Sequence, residues 1–197
     1  MSIHPDPANL PEKEDAIGLV YIADLAARFD GLRRLAERAA EQVDDAAFFG
    51  TLDPEANSIA VLMKHMAGNL RSRFTDFLTT DGEKPGRDRD AEFVIGPSDS
   101  RATILARWAQ GWSVLAATLE ALTAEDLLRE VTIRREPHTV IAALTRQLAH
   151  QAQHAGQIVL LAKHAAGSRW KTLTIPRGQS AALNREMEQR HGGAAPR

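Results

Sequence analysis

Four stretches of this chain repeat apolar residues at helical spacing, and that periodicity limits its fold more than any other feature. From about Glu14 to Val43, Ile17, Val20, Tyr21, Leu25, Phe29, Leu32, Leu35 and Ala39 form one stripe among good helix formers. From about Ser58 to Leu78 the stripe is Ile59, Leu62, Met63, Met66, Leu70, Phe74 and Phe77, with Asn57 or Ser58 placed to cap the helix. From about Arg101 to Leu122 it is Ile104, Leu105, Trp108, Trp112, Leu115 and Leu119, behind Ser98, Asp99 and Ser100 as competing caps. From about Thr139 to His164, Ile141, Leu144, Leu148, Ala152, Ala155 and Val159 are expected to pack inward, with Gly167 at the helix end. Four amphipathic helices and no convincing sheet predict an all-α four-helix bundle.

The connections are legible by contrast. Asp44-Asp45 and Gly50 to Pro54 read as a linker. Residues 80 to 99 read as a loop, punctuated by Asp81-Gly82 and Pro85-Gly86 and filled with charge. Its length suits a functional loop or a lid. Val131 to Ile133 and Leu173 to Pro176 read as short extended pieces, and a short polar helix follows from about Gln179 to Arg190. The expected organisation is a flexible tail over 1–13, one domain over 14–190 and a disordered tail over 191–197.

Composition excludes several chemistries. The 197 residues contain no cysteine, so disulfides, thiolate metal sites and cysteine nucleophiles are absent. Any metal must be held by His, Asp, Glu or water. A formal net charge of −2 with no basic block argues against nucleic-acid binding. No apolar run reaches the roughly 20 residues that span a membrane. The first residues lack the basic start and apolar core of a signal peptide, so a cytoplasmic protein is expected.

Chemistry enters through histidine. His150 and His154 lie four apart on the fourth helix, so their imidazoles project to one side about 5–6 Å apart. Histidine is the commonest protein ligand for metals of intermediate softness. His65, on the edge of the second helix in line with Val61, Asn69, Ser72 and Asp76, is a third candidate. On the fourth helix Gln147, His150, His154, Gln157 and Leu161 form a line, and leaving such groups buried and unpaired would cost roughly 1–3 kcal/mol each. A metal with bound water would satisfy them; a histidine simply hydrogen-bonded in the core is the competing reading. His164 is too far along the helix to share an ion with His150. Gln151 stands where a zinc peptidase of the His-Glu-x-x-His type has its general base, so that reading falls. The inward carboxylates of a di-iron bundle are missing too. A mononuclear site with three neutral histidines and an open position remains, the mark of a catalytic site.

The run Asn57 to Arg73 (NSIAVLMKHMAGNLRSR), with Asp76-Phe77-Leu78 and Asp81 to Pro85, resembles a branch of the DinB-like superfamily whose function is unknown. His150, then His154-Ala155-Gly156-Gln157-Ile158, resembles that superfamily's second metal motif, and Trp170 to Ser180 resembles the tail of the same branch. The resemblance covers most of residues 14 to 185. It implies an up-down-down-up bundle, often a homodimer, with a divalent ion held by His65, His150 and His154. Zinc or nickel comes first and iron(II) after them. Some relatives in the superfamily are thiol transferases using mycothiol or bacillithiol, in which a bound cation favours the thiolate.

The expected function is therefore a metal-dependent transfer of a low-molecular-weight thiol to a small electrophile. The alternatives are a hydrolase that activates water on the ion, and a stress-related dimer whose metal is structural or absent. Asn69 and Gln157 are candidates to support the ligands or orient a substrate, the competing readings being interhelical bonding and a buried amide. Arg71, Arg73 and Arg177 have the geometry to grip a carboxylate or phosphate, or to form salt bridges. Trp108 and Trp112 read as core or dimer interface. Arg87 to Asp90 reads as a solvated charge run.

Overall fold

The computed structural model describes residues 13–192. The tails expected at 1–13 and 191–197 lie outside the described residues, save Lys13, His191 and Gly192. Six α-helices are present among the described residues: α1 (Lys13–Ala40), α2 (Asp45–Phe49), α3 (Ile59–Phe74), α4 (Arg101–Ala121), α5 (Val140–Ala166) and α6 (Ser180–His191). Side-chain caps fix where three of the long helices begin. Ser58 Oγ accepts from Val61 N at 3.1 Å, Ser100 and Thr103 form a reciprocal capping box, and Thr139 Oγ1 accepts from Ala142 N at 3.2 Å. Gly167, at φ +54°, ends α5 as expected.

Contacts between helices fix the topology. Tyr21 bonds Thr145 and Gln42 bonds Lys171, so α1 and α5 run parallel. Glu37 receives the indole N–H of Trp108, and Arg101 reaches the carbonyls of Ala40 and Val43, so α1 and α4 run antiparallel. Lys64 pairs with Asp99 and Thr118 bonds the Phe74 carbonyl, so α3 and α4 run parallel. His65 meets His150 and Asn69 meets Gln147, so α3 opposes α5. The bundle is up-down-down-up through α1, α3, α4 and α5, as the resemblance implies.

The centre of the bundle is apolar and contributed by all four long helices, with Phe29, Met63, Leu70, Trp108, Leu115, Leu144 and Ile158 fully buried. Each such side chain contributes roughly 1.5–3 kcal/mol by leaving water. Both expected tryptophans are core residues, and Trp112 meets Phe29 edge-on at 6.5 Å. Gly111 lets α4 approach α3 closely, since a Cβ there would lie 2.7 Å from the Ala67 carbonyl oxygen.

Several expectations need correction. The linker at Asp44-Asp45 contains α2, because Asp44 caps it through Ala47 N and Phe48 buries completely. The second helix stops at Phe74 rather than Leu78; Thr75 Oγ1 turns back to the Arg71 carbonyl, and Asp76 has φ +48°. The piece at Val131 to Ile133 belongs to a hairpin, β1 (Glu130–Ile133) against β2 (Glu136–Thr139), the only sheet among the described residues. Residues 173–176 form no strand. Ile17 and Val20 are largely exposed, Leu105 is exposed and so is Ala152. In α5 the inward face is Ala143, Leu144, Gln147, Gln151, Ala155, Ile158 and Ala162, rotated from the expected stripe.

Candidate metal centre

The polar seam between α3 and α5 carries the site. Antiparallel packing puts His65 opposite the histidine pair in the middle of α5. One ring nitrogen from each of His65, His150 and His154 lies within 4.8 Å of the others, and this is the metal-competent cluster among the described residues. The rings of His65 and His150 are 5.2 Å apart, those of His65 and His154 5.1 Å. His65 is buried and the other two are half-buried, so the cluster sits at the edge of the core.

Hydrogen bonds fix which nitrogens face inward. A carboxylate only accepts, so His65 Nδ1–H donates to Glu92 Oε2 at 2.8 Å and leaves Nε2 with its lone pair. His154 Nδ1–H donates to Gln157 Oε1 at 2.7 Å, with the same effect on its own Nε2. His65 Nε2 and His150 Nε2 are 3.2 Å apart. Two nitrogens bound tetrahedrally to zinc at 2.0–2.1 Å would lie roughly 3.3–3.4 Å apart, so the separation fits a shared ion. A carboxylate behind a ligating imidazole is also the usual partner that holds its tautomer and raises its basicity. His150 Nδ1 is buried without a protein partner.

The electrostatics favour the neutral form of His150 and His154, as ligation requires. Burial, reinforced by His154 and His65, pushes the His150 imidazole down to about 3. Burial also lowers His154, against the bond it donates to Gln157. For Glu92, burial pushes the carboxyl up, but the bonds from His65 and Arg87 outweigh it and hold it below the ordinary carboxylate value.

Glu92 is the functional residue that sequence reasoning missed. It lies on a 3-10 turn, Asp90–Phe93, inside the loop, and no spacing links it to His65, 27 residues earlier. The supposedly solvated run supplies its anchor. The Arg87 side chain is buried, and its guanidinium grips Glu92 with Nε–Oε1 and Nη2–Oε2 bonds of 2.8 Å each. Arg87 also reaches Glu83, which takes Arg73 and Arg134 as well. Gly68 makes the approach feasible, since a Cβ there would overlap the Glu92 carboxylate. Asp81 bolts the loop to the hairpin tip, accepting from Arg134 N at 2.9 Å and Arg135 N at 2.7 Å. Those two residues have φ +56° and +66°, conformations that cost a non-glycine residue on the order of 1 kcal/mol or more.

The remaining candidates divide. Asn69 is buried but accepts from Gln147 Nε2 at 2.9 Å, so it joins the helices rather than facing the histidine nitrogens. Gln157 is exposed, not a buried amide, and orients His154. Arg73 is held by Glu83. Arg71 is exposed and lines a cavity beside α3 that none of the three histidines lines. Arg177 is exposed between α5 and α6 and makes no hydrogen bond or ion pair with the histidine cluster among the described residues.

Among the described residues no helix is long and apolar enough to cross a membrane. Comparison with curated proteins gave no match. A family model, protein of unknown function (DUF1572), matches residues 16–179, which spans the whole bundle and all three histidines. The chain belongs to this family, a member of the DinB-like superfamily.

Proposed function

We propose that this protein is a divalent-metal enzyme that transfers a low-molecular-weight thiol to a small electrophile, with His65, His150 and His154 as ligands. The observation that carries the reading is the convergence of three histidine rings, each with one nitrogen at the common point, two of them with their far nitrogens hydrogen-bonded to side-chain acceptors. Three histidine donors leave a tetrahedral ion one position for an exogenous group. Zinc or nickel suits this donor set, with iron(II) after them. When bound, such an ion would hold a thiol and favour loss of its proton.

The chain's own residues prepare that event. Glu92 fixes the tautomer of His65 and Gln157 that of His154, so neither ring must reorganise. In the transfer the sulfur's electron pair forms the C–S bond, the leaving group departs with the pair from its bond to carbon, and the thiol proton passes to water. The hydrolytic reading needs a carboxylate free to take a proton, and Glu92 is committed to His65 and Arg87. A homodimer belongs to the same reading; Ile17, Leu19 and Val20 give α1 an exposed apolar surface for it, and sedimentation measures it.

Metal analysis of the purified protein is the first test, with near-stoichiometric metal expected in the parent and its loss in His65→Ala and His150→Ala. Cobalt-substituted protein titrated with mycothiol, bacillithiol and cysteine should then change its visible absorption with at least one of them. No change with any thiol would sink the transferase.

A further inference from the structure

A cavity of about 590 Å³ opens between α3, α4 and the loop that carries Glu92. We infer that it is a separate binding site for a small molecule with a carboxylate or phosphate head and a compact apolar body.

Charge in the cavity points to an anion. Its walls carry four cations, Lys64, Arg71, Arg87 and Arg107, against three acids, Asp88, Glu92 and Asp99. The two buried acids are saturated. Asp99 takes Lys64 at 2.7 Å on one oxygen and Arg107 at 2.7 Å on the other. Glu92 has both oxygens in the fork of Arg87. Asp88 spends one oxygen on Ala91 N. Arg71 has no carboxylate partner among the described residues, and Arg107 uses only Nη1 in its bond to Asp99. Two arginines, one on α3 and one on α4, thus line one cavity with donors to spare, a donor set that suits a planar carboxylate or a phosphate.

Size and lining describe the rest of the ligand. The volume lies within the roughly 300–1,000 Å³ of small-molecule pockets. Ala67, Gly68, Ala91 and Val94 give it small or apolar walls alongside the charged groups. A bare phosphate would leave those walls uncovered; a head with an apolar body covers them.

Calorimetric titration of the chelator-treated full chain at constant ionic strength tests the site without reference to the metal centre. The probes are phenyl phosphate and benzoate, with inorganic phosphate and acetate as heads alone. Saturable one-site binding of phenyl phosphate or benzoate, tighter than its bare head, is expected, and the tighter of the two names the head. Arg71→Gln and Arg107→Gln should each weaken it about tenfold, while Lys163→Gln, an exposed change on α5, should not. Absence of binding by any probe at millimolar concentration overturns the inference. So does binding that survives both arginine substitutions. Because the metal is removed throughout, either result is independent of the proposed thiol chemistry.

Discussion

Helix α3 presents two seams of opposite character. Against α4 it packs by close approach: Gly111 sits on the Ala67 backbone, and Trp108, Leu115 and Ile104 share one buried apolar cluster with Met63 and Leu70. Against α5 it presents His65 and Asn69 to His150, His154 and Gln147. The first seam gains free energy from any packing that excludes water. The second gains only if every polar group finds a partner, because an orphaned buried donor or acceptor costs roughly 1–3 kcal/mol. The difference teaches that stability and chemistry are placed on different sides of one helix, so they should respond to different substitutions.

The largest expected effect is at the polar seam. His65→Ala should weaken metal binding by more than about 100-fold, since it removes a ligand and its carboxylate-backed tautomer together, and equilibrium dialysis with zinc measures it. If metal affinity is unchanged, the seam has another purpose and the comparison fails. At the apolar seam, Gly111→Val should lower unfolding free energy by about 2–3 kcal/mol through overpacking, with metal affinity per folded molecule preserved. Urea titration followed by metal analysis separates the two quantities, and joint loss would show that the seams are coupled.

Glu92→Gln sharpens the comparison further. The amide can still accept from His65 but loses its charge and the fork with Arg87, so metal affinity should fall roughly 10–100-fold with the three histidines intact. The smallest effect concerns pH. His150 titrates in the fold at about 3, well below the ordinary histidine value near 6.5. Between those values the unfolded chain binds more protons than the native one, so the metal-free protein loses stability as pH falls from about 6.5. His150→Gln should flatten the slope of stability between about pH 6.5 and 5; an unaltered slope would mean that His150 is not held neutral by burial.

How much of this was legible in the sequence follows the range of each interaction. Except for the cap at Thr139, which went unread, the four long helices, the caps at Ser58 and Ser100 among their competing candidates and the helix end at Gly167 rest on residues within a turn or two, and local patterns read them. His150 and His154 are legible for the same reason. His65 was a candidate by residue type and its place on a helix edge, but joining it to α5 rested on the resemblance, because nothing local links the two. The hairpin was half-read: β2 contains Pro137 and turns through two arginines with positive φ, which no turn propensity favours. The outward rotation of Ile17, Val20 and Ala152 was invisible because a stripe gives a face, not its bearing on neighbouring helices.

By itself, then, the sequence determined the helices, the absence of thiol ligands and the presence of two histidines on one helical face, all consequences of local periodicity and residue chemistry. Only the tertiary structure decided that His65 meets them, because that depends on α3 running antiparallel to α5. Only it turned Arg87 and Glu92 from a charged loop into the buried support of His65: Gly68 leaves room for the carboxylate, and a buried charge persists only when its counter-charge folds in beside it.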